Sequence, residues 1–368
     1  MIRNMRPSLI IALLATVELA LLTNLAVGQA RPNRPAAITD PAQAGPDYLL
    51  QGEYAGWMYV PGRGNEYTGL QVIALGNGKF DAVQYRGGLP GNGWDRVTKS
   101  KLSGQIENER LVLSGGAEHL LVGNFVAVAM DGAGRELGRL VKMQRTSPTM
   151  GAMPPANAVV LFDGRSTDQF QPGAKVTPDG LLLAGATTKM PVQVFHMHLE
   201  FKTPYMPTAR DQARGNSGVY IQRRYEVQIL DSFGLEGAFN ECGSLYRQTP
   251  PDLNMALPPL TWQTYDIWFT PPTFDSEGKK ISNARITVLH NGVPVHWHRE
   301  ITAKTGNGRP EGPPALPIEF QNHTNPVVFR NIWIVPGEGD YFWEQHNSSV
   351  FSNGCCPLRG RLFHRRCG

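Results

Sequence analysis

The sequence predicts an all-β protein: a sandwich of two antiparallel sheets preceded by a smaller β-rich domain. Three observations carry this. The 40 glycines and 29 prolines among 368 residues exceed the ~12% of average usage but fall short of the ~25–30% that marks disorder. Apolar residues recur at alternate positions in short runs between turn signals, not at helical spacing. The chain is too long for one core and suits two domains plus ends, and 41% hydrophobic residues can fill those cores.

The elements follow in chain order. Arg3 and Arg6 precede an apolar run, Leu9 to Leu22, interrupted by Glu18 and ending in small residues at Gly28-Gln29-Ala30. This reads as a signal peptide, 1–30, cut after Ala30, which sends the protein to the periplasm or outside. The run is shorter than the ~20 residues of a span, so no stable membrane insertion is expected after cleavage. Residues 31–46, with Pro32, Pro35, Pro41 and Pro46, read as a flexible leader.

Residues 47–145 read as the small β-rich domain. Leu70–Leu75, then Gly76-Asn77-Gly78, then Lys79–Tyr85 is a hairpin pattern. Leu111–Leu113, Phe125–Met130 and Leu137–Met143 supply further strands. Residues 146–157 (TSPTMGAMPPAN) read as a linker.

The second domain spans 158–336. Phe195, Met197, Leu199 and Phe201 alternate strictly, as do Val227 and Ile229. Trp262–Phe269, Arg285–Leu289, Ile318–His323 and Val327–Val335 follow, and Asn291-Gly292 signals a type I′ hairpin turn. The tail, 337–368, carries Cys355, Cys356, Cys367 and several arginines. Those three cysteines allow one small loop, Cys367 with one of the adjacent two, and leave Cys242 over. No C-x-x-C spacing suggests structural zinc.

Charge excludes one class of partner. The net charge of +4 resides at the ends, where Arg3, Arg6, Arg31 and Arg34 precede the folded body and Arg359, Arg361, Arg365 and Arg366 follow it. The body is balanced, so no basic stripe for nucleic acid is expected.

Strand parity then points to a site. With Val219, Ile221, Val227, Ile229, Ile318 and Phe320 inward, Tyr220, Gln222, Glu226, Gln228, Glu319, Gln321 and His323 point outward. Thr264, Asp266 and Trp268 share a similar phase. Neutral hydrogen-bonding groups beside aromatics suit a sugar, whose hydroxyls need partners while its C–H faces stack. A polar outer sheet face without a ligand is the plain alternative.

A resemblance attaches to the same residues. Val159-Val-Leu-Phe-Asp-Gly-Arg-Ser166, Gly215-Asn-Ser-Gly-Val-Tyr-Ile-Gln222, Tyr225-Glu-Val-Gln-Ile-Leu-Asp231, Trp262-Gln-Thr-Tyr-Asp266, His290-Asn-Gly-Val293 and Phe329-Arg-Asn-Ile-Trp333 occur in that order. Together they resemble the 3-keto-disaccharide hydrolase family, also described as 3-keto-glycoside 1,2-lyase/hydratase domains. The resemblance implies a concanavalin A-like jelly-roll sandwich with carbohydrate on its concave face. The first domain resembles one that precedes this module in secreted planctomycete proteins, to which no function attaches.

The implied chemistry is elimination followed by hydration. A ketone at C3 acidifies the C2 proton, a base removes it, the C1 substituent leaves, and water adds, giving net glycoside cleavage. Glu226, His323 and Asp231 are the candidate acid–base residues. Tyr220, Gln222, Gln228, Tyr246 and Gln321 are the candidate substrate-binding residues. Asp231 before Ser232-Phe233-Gly234 also suits a turn cap. No cofactor is required, although a divalent metal remains an open alternative for holding the enolate. Oligomeric state is not readable.

An ordinary retaining glycosidase is disfavoured. It needs a second carboxylate about 5–5.5 Å from the first, and the positions after Glu226 on its face are Gln228 and Leu230. His196-x-His198 and His296-x-His298 each place two imidazoles on one strand face, a metal-binding geometry without a third ligand of informative spacing. Arg330, within a β run, suits a structural carboxylate partner. Relatives usually read Gln-Asp-His-Gly where this chain has Gln321-Asn322-His323-Thr324, and His-Asp-Asn where it has His296-Trp297-His298. Many carry a second cysteine near Ala256. A non-catalytic carbohydrate-binding module is therefore the alternative function, and a structural envelope protein a third. If Glu226 and His323 work as a pair on an outward face, replacing either should lower turnover and barely change stability.

Overall fold

The computed structural model describes residues 35–115 and 119–340. The expected signal peptide and the three tail cysteines lie outside the described residues. Eight strands pair each with the next: β1 (Gly52–Val60), β2 (Gly64–Gly76), β3 (Lys79–Arg86), β4 (Lys99–Glu107), β5 (Arg110–Ser114), β6 (His119–Val122), β7 (Val126–Met130) and β8 (Glu136–Met143). β8 returns to β1, closing an antiparallel barrel. Closure removes the exposed edges that a flat sheet would leave. Alternation fills the interior with Tyr54, Leu70, Val72, Phe80, Leu113 and Leu140, all nearly inaccessible. The Gly76-Asn77-Gly78 turn joins β2 to β3 with all three residues at positive φ, which explains two of its glycines.

The second part comprises β9 (Val159–Phe162), β10 (Leu182–Leu183), β11 (Thr187–Val192), β12 (Phe195–Lys202), β13 (Ser217–Ile221), β14 (Tyr225–Ile229) and β15 (Gln263–Thr270). It continues with β16 (Thr273–Phe274), β17 (Lys280–Ser282), β18 (Ala284–His290), β19 (Val293–Ile301), β20 (Leu316–Phe320) and β21 (Val328–Pro336). A larger sheet runs β10-β21-β12-β15-β18-β19, with β9 also on β21. A smaller sheet runs β11-β20-β13-β14, and β16 and β17 form a separate ribbon. Met197, Leu199, Phe201, Ile267, Ile286 and Val288 meet Val219, Ile221, Val227, Ile229, Ile318 and Phe320 in one core between the sheets. The all-β prediction therefore holds, as a β-sandwich with a β-barrel before it. Asn291 and Gly292 both take positive φ, as a type I′ turn requires.

Two connecting segments differ from their sequence reading. The leader is not irregular throughout: Asp40 caps a 3₁₀ turn at Pro41–Gln43, a short helix follows at Gly45–Leu50, and Ile38 bridges Tyr205. The linker lies on the outer face of the larger sheet. Ser147 Oγ contacts Thr264 Oγ1 (2.6 Å), Thr149 Oγ1 donates to Asp266 Oδ2 (2.7 Å), and Gly151 N donates to Glu200 Oε1 (2.6 Å). Its small polar residues bond the sheet's polar groups, which composition alone does not reveal.

Barrel and sandwich share a contact surface. Ile73, Val83 and Tyr85 of the barrel pack with Phe233, while Tyr205 and Leu260 join the barrel's own core. Arg214 donates to Asp231 Oδ2 (2.6 Å) and to Ala74 O of the barrel (3.4 Å). Within the barrel, Arg145 grips buried Glu53 through two nitrogens (2.7 and 2.5 Å). The described residues form one compact unit. Among them, no helix is long and apolar enough to cross a membrane.

Candidate active site

The smaller sheet builds the site. Tyr220 lies directly opposite Glu226, and Gly218 opposite Gln228, in the β13–β14 register. On the other side of β13, Tyr220 pairs Glu319, and Gln321 N extends the ladder by donating to Gly218 O (2.8 Å). Parity thus gathers Tyr220, Glu226, Gln228 and Gln321 around Gly218. Glycine there leaves room for the carboxyl, since a Cβ would press on Glu226 Oε1.

This face is not a solvent face. β13 and β14 are buried along their whole length, and Glu226 is only 1% exposed. Two loops cover it. Tyr246 N donates to Glu226 O (3.2 Å) from one. From the other, Thr305 Oγ1 accepts from Glu226 N (2.6 Å), and Thr305 N and Arg309 N donate to Arg224 O (2.9 Å) and Arg223 O (2.7 Å). Gly306, at φ +43, lies over the carboxyl: a Cβ there would be 3.2 Å from Glu226 Oε2 and 2.8 Å from the Tyr246 ring.

The electrostatics single out Glu226. Burial pushes its carboxyl up to about 7, against a lowering hydrogen bond from Tyr220. With its amide nitrogen turned toward the carboxyl, Gln228 donates to Glu226 Oε1 (3.0 Å) and Ser217 O (2.8 Å). Glu226 Oε2 and Gln321 Oε1 are buried with no hydrogen-bond partner in the protein. Such orphaned acceptors are costly unless a donor reaches them. The other carboxylates of this sheet are matched by arginine: Glu319 by Arg223 (2.7 Å) and Asp231 by Arg214 (2.6 Å). Burial also raises the Tyr220 phenol, reinforced by the Glu226 charge.

The remaining predicted residues disperse. Asp231 is a structural ion-pair partner that also accepts from Phe233 N (3.4 Å), in line with its turn-cap reading. Gln222 sits at φ +51 in the β13–β14 turn, its amide committed to Val192 O (2.7 Å) and Arg224 Nη1 (2.9 Å). Tyr246 is half-buried beside Gly306. His323 is exposed and makes no hydrogen bond or ion pair among the described residues. β20 ends at Phe320 and Thr324 N bonds Asn322 Oδ1 (2.8 Å), so the chain has turned before alternation reaches His323. Glu226 and His323 are therefore not a contacting pair.

Thr264, Asp266 and Trp268 lie on β15 of the larger sheet, away from the Glu226 sheet and beside the linker. His198 Nδ1 meets Asp266 Oδ1 (2.7 Å), and its Nε2 is 3.8 Å from Glu200. Burial alone would lower His198, but these two acids raise it to about 9, while burial lowers His196 to about 4. His296 and His298 diverge: His298 takes φ +44 at a bulge and bonds Asp340 (2.8 Å), while His296 bonds Gly243 O (2.8 Å). Among the described residues no His/Cys/Asp/Glu group could hold a metal. Arg330 meets its expected carboxylate, Glu200 (2.6 Å), and stacks over Trp262. Cys242 is buried and unpaired, against Tyr265 OH (3.2 Å).

Sequence reasoning missed Thr305 and Gly306, which lie in a loop without periodicity. It also gave no role to Asn216, although that residue stands inside a quoted motif. Asn216 N donates to Asn325 Oδ1 (2.7 Å), tying the loop after β20 to the site.

An all-β sandwich carrying one uncompensated carboxyl among amides and phenols is the construction of a carbohydrate-active protein. Residues 157–335 match the model of the 3-keto-alpha-glucoside-1,2-lyase-like domain, and through that domain the chain belongs to this family. It is similar to a provisionally named glycosyl hydrolase of Parabacteroides distasonis at 34% identity, covering 50% of this chain and 84% of that one, with a TM-score of 0.46. Two further provisionally named glycosyl hydrolases of that organism align at 18% and 21% identity. They cover 49% and 48% of this chain and 94% and 98% of theirs, with TM-scores of 0.35 and 0.33. No curated protein matches.

Proposed function

We propose that the protein is an exported enzyme that cleaves 3-keto-glycosides, with Glu226 as the base that removes the C2 proton. The observation that carries this reading is the Glu226 carboxyl itself: buried, without a cationic partner among the described residues, and raised to about 7. A base whose conjugate acid titrates near the working pH both takes and returns a proton efficiently. Elimination followed by hydration needs both actions, because the proton taken from C2 must later be given back. A double-displacement glycosidase would need a second ionised carboxylate beside the first. The two nearby acids, Glu319 and Asp231, are each held by an arginine instead.

Binding follows from the same face. Gln321 Oε1 and Glu226 Oε2 are the acceptors that the protein leaves unpaired there, and displacing the Gly306 segment that covers them would open them to sugar hydroxyls, with the Tyr246 ring as a surface for a C–H face. We assign His323, on the exposed loop after Gln321, to a rim contact with substrate and not to partnership with Glu226. The family membership supports the substrate class.

The test is incubation of the full chain with a 3-keto-disaccharide in deuterated water. Release of the leaving sugar together with deuterium at C2 is expected. Tight saccharide binding without release or exchange would favour the binding-module reading, which the exposure of Asn322 and His323 away from Glu226 supports. Neither binding nor turnover would sink both.

A further inference from the structure

We infer that Tyr220 is the proton donor to the departing C1 oxygen, so that the acid and the base of the reaction are cross-strand neighbours. The inference rests on the reading of Glu226 as the C2 base and adds the second half of the proton inventory.

The geometry is specific. Tyr220 and Glu226 are directly opposed in the β13–β14 ladder, so their side chains leave the same face at adjacent positions. The two groups act on each other electrostatically: the Glu226 charge adds to the burial that raises the Tyr220 phenol, and Tyr220 lowers the Glu226 carboxyl against its burial. The Asn307 backbone acts in the opposite sense on the phenol, favouring its ionised form. Asn307 is exposed and Gly306 half-exposed, whereas Glu226 is sealed beneath them. Tyr220 therefore leaves the strand beside the base, on the face that the Thr305–Asn307 segment covers, and that segment is where the site meets solvent. Glu319, the other acid paired with Tyr220 in register, is occupied by Arg223 (2.7 Å) and does not compete for the phenol.

Protons balance without any co-reactant. Glu226, ionised, takes the C2 proton; the C1–O bond breaks; the Tyr220 hydroxyl proton goes to the leaving oxygen. The products are an enone, a free alcohol, neutral Glu226 and a Tyr220 phenolate favoured by the Asn307 backbone. A carboxylic acid beside a phenolate is the higher-energy arrangement, because the phenol is the weaker acid. The proton therefore passes from Glu226 to its cross-strand neighbour Tyr220 and restores both groups. In the hydration step Glu226 takes a proton from water as hydroxide joins C1, and then returns it to C2.

The experiment compares wild type and Tyr220→Phe on 3-keto-glucosides whose leaving groups range from an acidic nitrophenol to a sugar alcohol. An acid matters only when the leaving group is poor. In wild type, the rate should depend weakly on leaving-group pKa. In Tyr220→Phe the sugar substrate should lose about 10²–10⁴ in turnover, while the nitrophenyl substrate loses less than about tenfold and C2 deuterium exchange persists. Equal losses on both substrates would make Tyr220 a positioning residue and overturn the inference. So would unchanged turnover of the sugar substrate. A steep leaving-group dependence in wild type overturns it as well, and needs no variant to fold. Absence of C2 exchange in wild type would instead defeat the Glu226 reading, and the inference with it.

Discussion

Glu226 couples function to stability in a way its apparent outward position conceals. Its carboxyl titrates at its ordinary 4.5 when unfolded and at about 7 when folded. Between those values the folded state binds more protons than the unfolded state. The associated stability is therefore complete below about pH 4.5 and is lost as pH rises through about 7. Two and a half units correspond to on the order of 3 kcal/mol. Glu226→Gln should raise the melting temperature above pH 7, by the equivalent of roughly 1–3 kcal/mol, while lowering turnover by ~10²–10⁴. The sequence-based expectation of near-unchanged stability fails here because the residue is buried. The ionised base should also give kcat/KM a rising limb with a midpoint near pH 7; a profile flat from pH 5 to 9 would exclude Glu226. His323→Asn, at an exposed position, should cost less than about tenfold in turnover, since loss of one rim contact removes no proton-transfer step.

At the scale of the strand, parity does the positioning and glycine makes room. Val227 and Glu226 are adjacent in sequence and leave β14 on opposite faces, one into the core and one into the site. Val227→Asp buries an unpaired charge among Val219, Ile229 and Phe320 and should unfold the domain, visible as loss of the cooperative melting transition. Gly218→Ala tests the opposite face. Its Cβ would push Glu226 Oε1 aside, so turnover should fall by at least about tenfold while circular dichroism stays that of a β protein. Full activity in Gly218→Ala would show that the carboxyl position does not matter. β20 also marks how far alternation can be trusted. It holds through Phe320 and one further ladder bond at Gln321, and then the Asn322 turn ends it.

Across the whole molecule, barrel and sandwich are joined by apolar contact and by Arg214, which bonds both Asp231 and Ala74 O, while the barrel holds a buried ion pair of its own. Glu53 is 2% exposed and depends on Arg145, with Gln71 Nε2 at 2.9 Å completing its partners. Arg145→Met leaves that carboxylate buried without a cation and should cost about 3–5 kcal/mol. Because Tyr205 and Leu260 are built into the barrel core, the loss should lower one shared melting transition, read by calorimetry. Two separated transitions, with only the barrel's shifted, would show that the domains melt independently.

By itself the sequence determined the β class, most strand positions, the hairpin turns and the assignment of Tyr220, Glu226, Gln228 and Gln321 to one face. These are local properties, set by a period of two and by residues that tolerate positive φ. It did not determine what covers that face, where β20 ends, or that Thr264, Asp266 and Trp268 belong to the other sheet. Nor could it reveal that the linker is bonded to that sheet, or that Asp231 and Gln222 are committed to Arg214, Val192 and Arg224. Those outcomes depend on which distant segments meet. Only tertiary packing puts the Thr305–Gly306 loop over Glu226 and removes the water that would otherwise hold its carboxyl near 4.5. Strand alternation selects the face a side chain leaves from; burial, a property of the assembled fold, selects its chemistry.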